Sequence, residues 1–227
     1  MSCVAAILAR NEGDRFLDTC LRSLLPHCDT ILLLDDGSTD NTIEVAESHG
    51  CQIRRRSGPP MWGQESSARQ ELWAWAAEVA GSDWVLIADA DQELIAPPDT
   101  FAAMLSSWEA NAWGIPLYDC WDDPFLHRAD GHWAGFHVKR PWLFRPSACP
   151  EPQWSGRGLH VGHAPGNFPY RLAEAPAGVW WRHYGWMRKV DRDAKLERYL
   201  DHKDQLHPSE LAHLLSVTDE NDSQRHP

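Results

Sequence analysis

The chain has 227 residues, 43% of them hydrophobic, enough to bury the core of one generous domain, so global disorder is excluded. A net charge of −12 argues against a general binder of polyanions, because phosphate backbones reward a basic surface; Arg54, Arg55 and Arg56 form only a local basic strip. Thirteen tryptophans are the oddest number: many belong in a core, yet their flat amphipathic faces also suit sugar rings and bases.

In chain order, residues 1–10 lack the basic leader and long apolar core of a signal peptide. A first short strand is predicted over 4–9, followed by Arg10-Asn11-Glu12-Gly13. A helix fits 14–25, with Phe16, Leu17, Cys20, Leu21, Leu24 and Leu25 on one side and Pro26 stopping it. Residues 31–34 form a second strand that runs into Asp35-Asp36-Gly37-Ser38-Thr39-Asp40-Asn41-Thr42. Gly37 supplies the turn, and Ser38, Thr39 or Asp40 caps a helix running through Ser48 to Gly50. A third strand over 51–55 and a helix over 65–80, closed by Gly81, lead to the continuous apolar run of a buried parallel strand from Trp84. This alternation of strand and helix is the pattern of a parallel sheet covered by helices.

Beyond Asp91 the texture changes. A helix is expected over 97–108 and a strand over 113–118. Residues 119–182 are dense in Trp, Pro, Gly and His, with short runs such as 138–145, and read as irregular strands and loops over the sheet's carboxyl edge. A charged helix over 187–205 pairs Asp191 with Lys195 at i,i+4 and turns Leu196, Tyr199 and Leu200 inward. Residues 208–217 form a bracing helix, and 218–227 a polar, frayed tail. The six scattered cysteines include no Cys-x-x-Cys pair and read as thiols of a reducing compartment. No apolar stretch reaches bilayer-spanning length, so the expected location is cytoplasmic.

The strand from Trp84 stops at Asp89-Ala90-Asp91. Ligands of open α/β sheets sit at the carboxyl ends of strands, and two carboxylates crowded there are costly unless a cation neutralises them. That chemistry points to a divalent metal holding a phosphorylated ligand, whereas an isolated Asp-x-Asp is more often a solvated turn.

Taken in order, Ile7-Leu8-Ala9-Arg10-Asn11-Glu12, the strand with Asp35-Asp36-Gly37-Ser38-Thr39-Asp40, Arg69 in a helix, and the strand with Asp89-Ala90-Asp91 closely resemble family 2 glycosyltransferases of the GT-A fold. The resemblance covers residues 4–95 well and the remainder loosely. It implies an α/β fold with a mostly parallel central sheet flanked by helices, and a nucleotide-sugar donor, most often a uridine diphosphate (UDP) sugar, transferred with inversion. It also implies a division into a donor-binding half (1–118), acceptor-side strands and loops of the same domain (119–186), C-terminal helices (187–217) and a flexible tail (218–227). By position, Ala9, Arg10, Asn11, Glu12 and Asp36 would hold base and ribose, and Arg69 would approach ribose or diphosphate. Asp89 and its neighbour Ala90 would contact the donor, Asp89 also serving the metal, and Asp91 would ligate Mg²⁺ or Mn²⁺. A hard cation suits the charge that grows on a departing diphosphate. His183, in Trp181-Arg182-His183-Tyr184-Gly185-Trp186, resembles the late histidine that completes the metal shell in several enzymes of this fold; imidazole favours Mn²⁺ over Mg²⁺. Arg182, Arg188 and Lys189 nearby are placed to meet phosphates or solvent.

An inverting reaction also needs a base within hydrogen-bond reach of the acceptor hydroxyl. Asp119, Asp122 and Asp123 lie beyond the strand over 113–118 and face the acceptor in this reading, with Glu151 and His160 as rivals and Asp122 preferred. Two other classes compete. A haloacid-dehalogenase-like phosphatase would use Asp89 as nucleophile, but the motif lies far from the N-terminus and Glu93 stands where Thr or Val is expected. A non-catalytic carbohydrate- or nucleotide-sugar-binding protein would keep the donor site without the chemistry. The acceptor is open: a glycan, a protein, a small molecule or, through Arg54–Arg56 and Lys139-Arg140, modified nucleic acid.

Overall fold

The computed structural model describes the chain apart from residues 59, 63, 134, 157, 159, 160 and 220–222 and the side chains of 132 and 205. Its first half alternates as the hydrophobic pattern requires: β1 (Cys3–Ala9), α1 (Leu17–Leu24), β2 (Thr30–Asp35), α2 (Thr42–Ser48), β3 (Gln52–Arg55), α3 (Glu65–Ala80) and β4 (Trp84–Asp89). β1 lies between β2 and β4, parallel to both, so Ala9, Asp35 and Asp89 emerge side by side at one edge of the sheet.

These strands are apolar on both faces because both faces are covered. Ala5, Ile7 and Leu33 meet Leu17, Leu21 and Leu24 of α1 on one side. Val4, Ala6, Leu32 and Ile87 meet Leu72, Trp73 and Ala76 of α3 on the other. Each fully buried leucine contributes about 1.5–3 kcal/mol, so this two-sided core fixes the edge that carries the carboxylates.

The second half is more ordered than its composition suggests. It comprises β5 (Gln92–Ile95), α4 (Pro98–Ser106), β6 (Ala112–Ile115), β7 (Leu117–Trp121), β8 (Asp123–Arg128), β9 (Arg140–Phe144), β10 (Leu172–Glu174), β11 (Trp180–His183), α5 (Lys189–Leu200), α6 (Pro208–Leu215) and β12 (Ser223–Arg225). A seven-stranded sheet runs β10-β6-β9-β4-β1-β2-β3, and a five-stranded sheet runs β12-β8-β7-β11-β5.

Several expectations are corrected here. The strand expected over 113–118 is two strands in different sheets, parted at Pro116, which has no N–H to donate to a ladder. The run at 138–145 does not lie over the sheet edge; as β9 it enters the main sheet antiparallel to both β4 and β6. α5 is shorter than the charged pattern over 187–205, and Leu200 is exposed. The tail is not simply frayed: β12 pairs with β8, and the His226 ring stacks on Trp180 at 5.1 Å. All six cysteines are free thiols. No described helix is long and apolar enough to cross a membrane.

Candidate active site

A cavity of about 1000 Å³ opens at the carboxyl ends of β1 and β4 and is walled by residues from α3, β7, β9, β11, α5 and α6. The loop Arg10–Gly13 forms its floor through bonds to the stretch after β2. Gly37 makes the turn with φ of +81°, a conformation that costs glycine little. Asn11, at φ of +54°, donates its N–H to Ser38 Oγ at 2.9 Å and accepts from the Thr39 N–H at 2.8 Å. The Glu12 N–H donates to Thr42 Oγ1 at 2.8 Å, and the Gly13 N–H to Asp40 Oδ2 at 3.1 Å. Ser38, Thr39, Asp40 and Thr42 thus shape the neighbouring loop, and Asp40 also accepts from the Thr42 N–H at the start of α2.

Among the sequence-predicted donor residues, Arg10, Asn11, Glu12, Arg69, Asp89, Ala90, Asp91 and His183 line this cavity. Ala9 and Asp36 do not. The Asp36 carboxylate is buried against the Arg56 guanidinium and accepts the Met61 N–H at 2.8 Å. Three tryptophans line the cavity, Trp62, Trp142 and Trp186, while Trp84, Trp121, Trp133 and Trp181 are core.

Asp89 is held on both oxygens. Arg69 Nη2 donates to Oδ1 at 3.0 Å and Gln92 Nε2 to Oδ2 at 3.1 Å, with His163 Nε2 3.6 Å away. Burial alone would raise this carboxyl; the Arg69 guanidinium, then His163, outweigh burial and hold it well below the usual carboxylate range. A carboxylate so engaged is a poor nucleophile, which counts against the phosphatase reading. Arg69 is itself anchored by Glu65 Oε1 at 3.2 Å and keeps a buried Nη1 without a hydrogen bond among the described residues.

Asp91, just before β5, lies beside His183 of the paired strand β11, Oδ2 to Nε2 at 3.4 Å. Behind the ring, His183 Nδ1 meets Asp119 Oδ1 at 2.5 Å, because β7 and β11 run parallel with Asp119 beside His183. Burial lowers the imidazole pKa, but Asp91 and then Asp119 raise it to about 9. Glu12, pushed up to about 7 by burial and then by Asp91, completes the acidic side. The same space is closed by Gly185: a methyl group there would collide with Asp91 Oδ2, Lys195 Nζ and His183 Nε2. A carboxylate oxygen and an imidazole nitrogen converging on a point that admits no side chain suit a divalent ion, with Asp119 fixing the ring as an outer-shell carboxylate does. Among the described residues no three His, Cys, Asp or Glu side chains form a ready cage. The remaining ligands would come from phosphate and water, as is usual for Mg²⁺-type sites.

Among the acidic base candidates Asp119 lines the cavity, behind His183, and the others lie elsewhere. Asp122 and Asp123 sit at the turn between β7 and β8, outside the cavity; Asp122 is exposed and paired with Arg192 at 2.6 Å, and Asp123 accepts the Phe125 N–H at 2.7 Å. Glu151 is exposed and also outside the lining. His160 falls outside the described residues. The phosphate candidates shift too. Arg182 bonds Glu93 at 2.8 Å, Arg188 bonds Asp191 at 2.5 Å and Lys189 bonds Asp193 at 2.7 Å, whereas Lys195 and Arg198 of α5 line the cavity. Lys195 therefore pairs not with Asp191, as spacing suggested, but with Asp91 at 3.4 Å. Its position on the inward face of α5, three residues before Arg198, was the available signal.

Comparison with known proteins agrees with this fold. The chain is 30% identical to an uncharacterized protein of Mycobacterium tuberculosis, a match covering 88% of this chain and 50% of that one, so the chain spans about half the length of this curated relative. An uncharacterized glycosyltransferase of Rickettsia bellii is 31% identical over 90 residues, 40% of this chain and 28% of that one. Two solved structures share the fold. S. aureus TarS (residues 1–349) has a TM-score of 0.55 at 15% identity, covering 96% of this chain and 71% of that one. Glucosyl-3-phosphoglycerate synthase of M. tuberculosis, in complex with Mn²⁺, UDP-glucose and phosphoglyceric acid, has a TM-score of 0.53 at 15% identity, covering 94% and 79%. The model of the glycosyl transferase family 2 matches residues 5–158, the span that carries both strand-end carboxylate motifs, and the chain belongs to that family.

Proposed function

We propose that this chain transfers a sugar from a nucleotide diphosphate sugar, a UDP-sugar, to a hydroxyl acceptor with the help of Mn²⁺ or Mg²⁺. The observation that carries the reading is Asp91 facing His183 at 3.4 Å, with Asp119 behind the ring. Asp91 and His183 would hold the metal, which when bound stabilises the negative charge of a departing diphosphate. The other roles belong to the chain. Arg10, Asn11 and Glu12 line the end that would take base and ribose, the Asp89–Arg69 pair orients the middle of the donor, and Trp142 and Trp186 exclude water around the sugar. The choice of UDP and Mn²⁺ is supported by the mycobacterial synthase of like fold, solved with both, and inversion rests on the family resemblance alone.

The direct test is thermal. UDP with Mn²⁺ is expected to raise the melting temperature, as linkage demands of a native-state ligand, and neither alone should match the pair. No shift with any nucleotide would remove the donor site from this cavity. A shift without donor hydrolysis or transfer would favour a non-catalytic binder. Asp119→Asn is expected to weaken Mn²⁺ binding about 10- to 100-fold with little change in melting temperature, the signature of a lost outer-shell partner. An unchanged Mn²⁺ affinity would make Asp119 a bystander.

A further inference from the structure

Two cations on α5 reach the cavity with unused hydrogen-bonding capacity. Lys195 is only 15% exposed, and its single hydrogen bond among the described residues is the long 3.4 Å contact to Asp91 Oδ2. An ammonium carries three donors, so two are unspent. The group stands over the Trp186 ring at 4.6 Å. Arg198, one turn further along, stacks over Trp62 at 4.9 Å and keeps a buried Nε without a hydrogen-bond partner among the described residues. Unspent buried donors on two neighbouring cations describe a receptor for an anion with many acceptor oxygens.

Lys195 also stands where a metal would be opposed. Its Nζ, Asp91 Oδ2 and His183 Nε2 all crowd the space beside Gly185. A divalent ion held by Asp91 and His183 would face the ammonium across a few ångströms among side chains that are largely buried, where like charges repel. Lysine's flexible stem lets the head turn aside, provided something anionic receives it.

We infer that Lys195 couples the two ligands: it competes with the metal for Asp91 and, when nucleotide arrives, turns with Arg198 onto the diphosphate and yields Asp91. This rests on the donor reading above and adds to it an order. Metal alone binds against Lys195; metal with diphosphate binds with its help. Because coupling is reciprocal, each ligand strengthens the other by the same factor.

Titration calorimetry tests this with two probes, Mn²⁺ alone and UDP at saturating Mn²⁺. Lys195→Met keeps the stem over Trp186 and removes the charge. It is expected to bind Mn²⁺ alone about tenfold more tightly and UDP about tenfold more weakly, opposite signs that a general structural defect does not produce. Arg198→Gln, which leaves Asp91 untouched, is expected to weaken UDP while leaving Mn²⁺ alone unchanged. Mn²⁺ binding that is unchanged or weaker in Lys195→Met, or UDP binding that is unchanged, overturns the coupling. Wild-type protein that takes up no UDP even with Mn²⁺ sinks the donor reading itself, and the coupling with it.

Discussion

Gly185→Ala is expected to leave a folded protein that no longer responds to Mn²⁺. Gly185 lies in the turn between β11 and α5, buried, with a backbone conformation open to alanine. The obstacle to a methyl group is therefore its neighbours, and these are the far ends of Asp91, Lys195 and His183 rather than backbone. Such ends can swing aside, so the substitution should cost about 1–3 kcal/mol, the range of ordinary overpacking. What cannot survive is their convergence. Loss of an outer-shell partner costs about 10- to 100-fold in metal affinity, and displacing both ligands should exceed that. Calorimetry with Mn²⁺ and a thermal melt of the same sample separate the two effects. A variant that melts near wild type and still binds Mn²⁺ would show that the ion sits elsewhere.

How much of this was legible in the sequence differs between the halves. The first half could be read because its rules are local: continuous apolar runs, a glycine where the turn after β2 needs φ of +81°, and a strand that stops at paired carboxylates. The second half depends on pairing across long separations. Nothing near residue 140 announces that β9 enters the main sheet antiparallel beside β4, or that β12 is held by β8 almost a hundred residues earlier. The site shares this division. That Asp89, Asp91 and His183 come to one cavity was readable from motif and position, whereas Asp119 acquires its place behind the His183 ring only through the β7–β11 register. Asp122 and Asp123, chosen because acidic residues follow a strand, are instead spent on the turn and on Arg192. Composition misled once more at Arg56, the buried end of a run whose Arg54 and Arg55 are exposed as the charge pattern suggested.

That run contains the substitution with the largest expected effect on stability. Arg56→Met should destabilise the fold by about 3–5 kcal/mol, the cost of removing one partner from a buried ion pair. The Arg56 side chain is 2% exposed and that of Asp36 is 1%. The guanidinium meets Asp36 through Nη1 and Glu71 Oε2 through Nε at 3.2 Å, while the Arg56 N–H donates to Asp35 O at 2.9 Å. Methionine preserves most of the volume, so the loss reports charge rather than a cavity. Its destabilisation has a definite origin, because among the described residues Asp36 would keep only the Met61 N–H and an Arg10 guanidinium 3.6 Å away. If the stranded carboxylate is the cause, Arg56→Met with Asp36→Asn should recover most of the loss, since replacing both members of a buried pair by neutral groups is often close to harmless. Denaturant melts of the two single variants and the double variant complete the cycle. Purely additive losses would show that the pair is not coupled and that Arg56 acts through packing alone. The same pair ties the end of β2 to the Met61–Trp62 wall of the cavity. The single variant should therefore weaken UDP binding as well, and the double variant should restore the wall together with the stability.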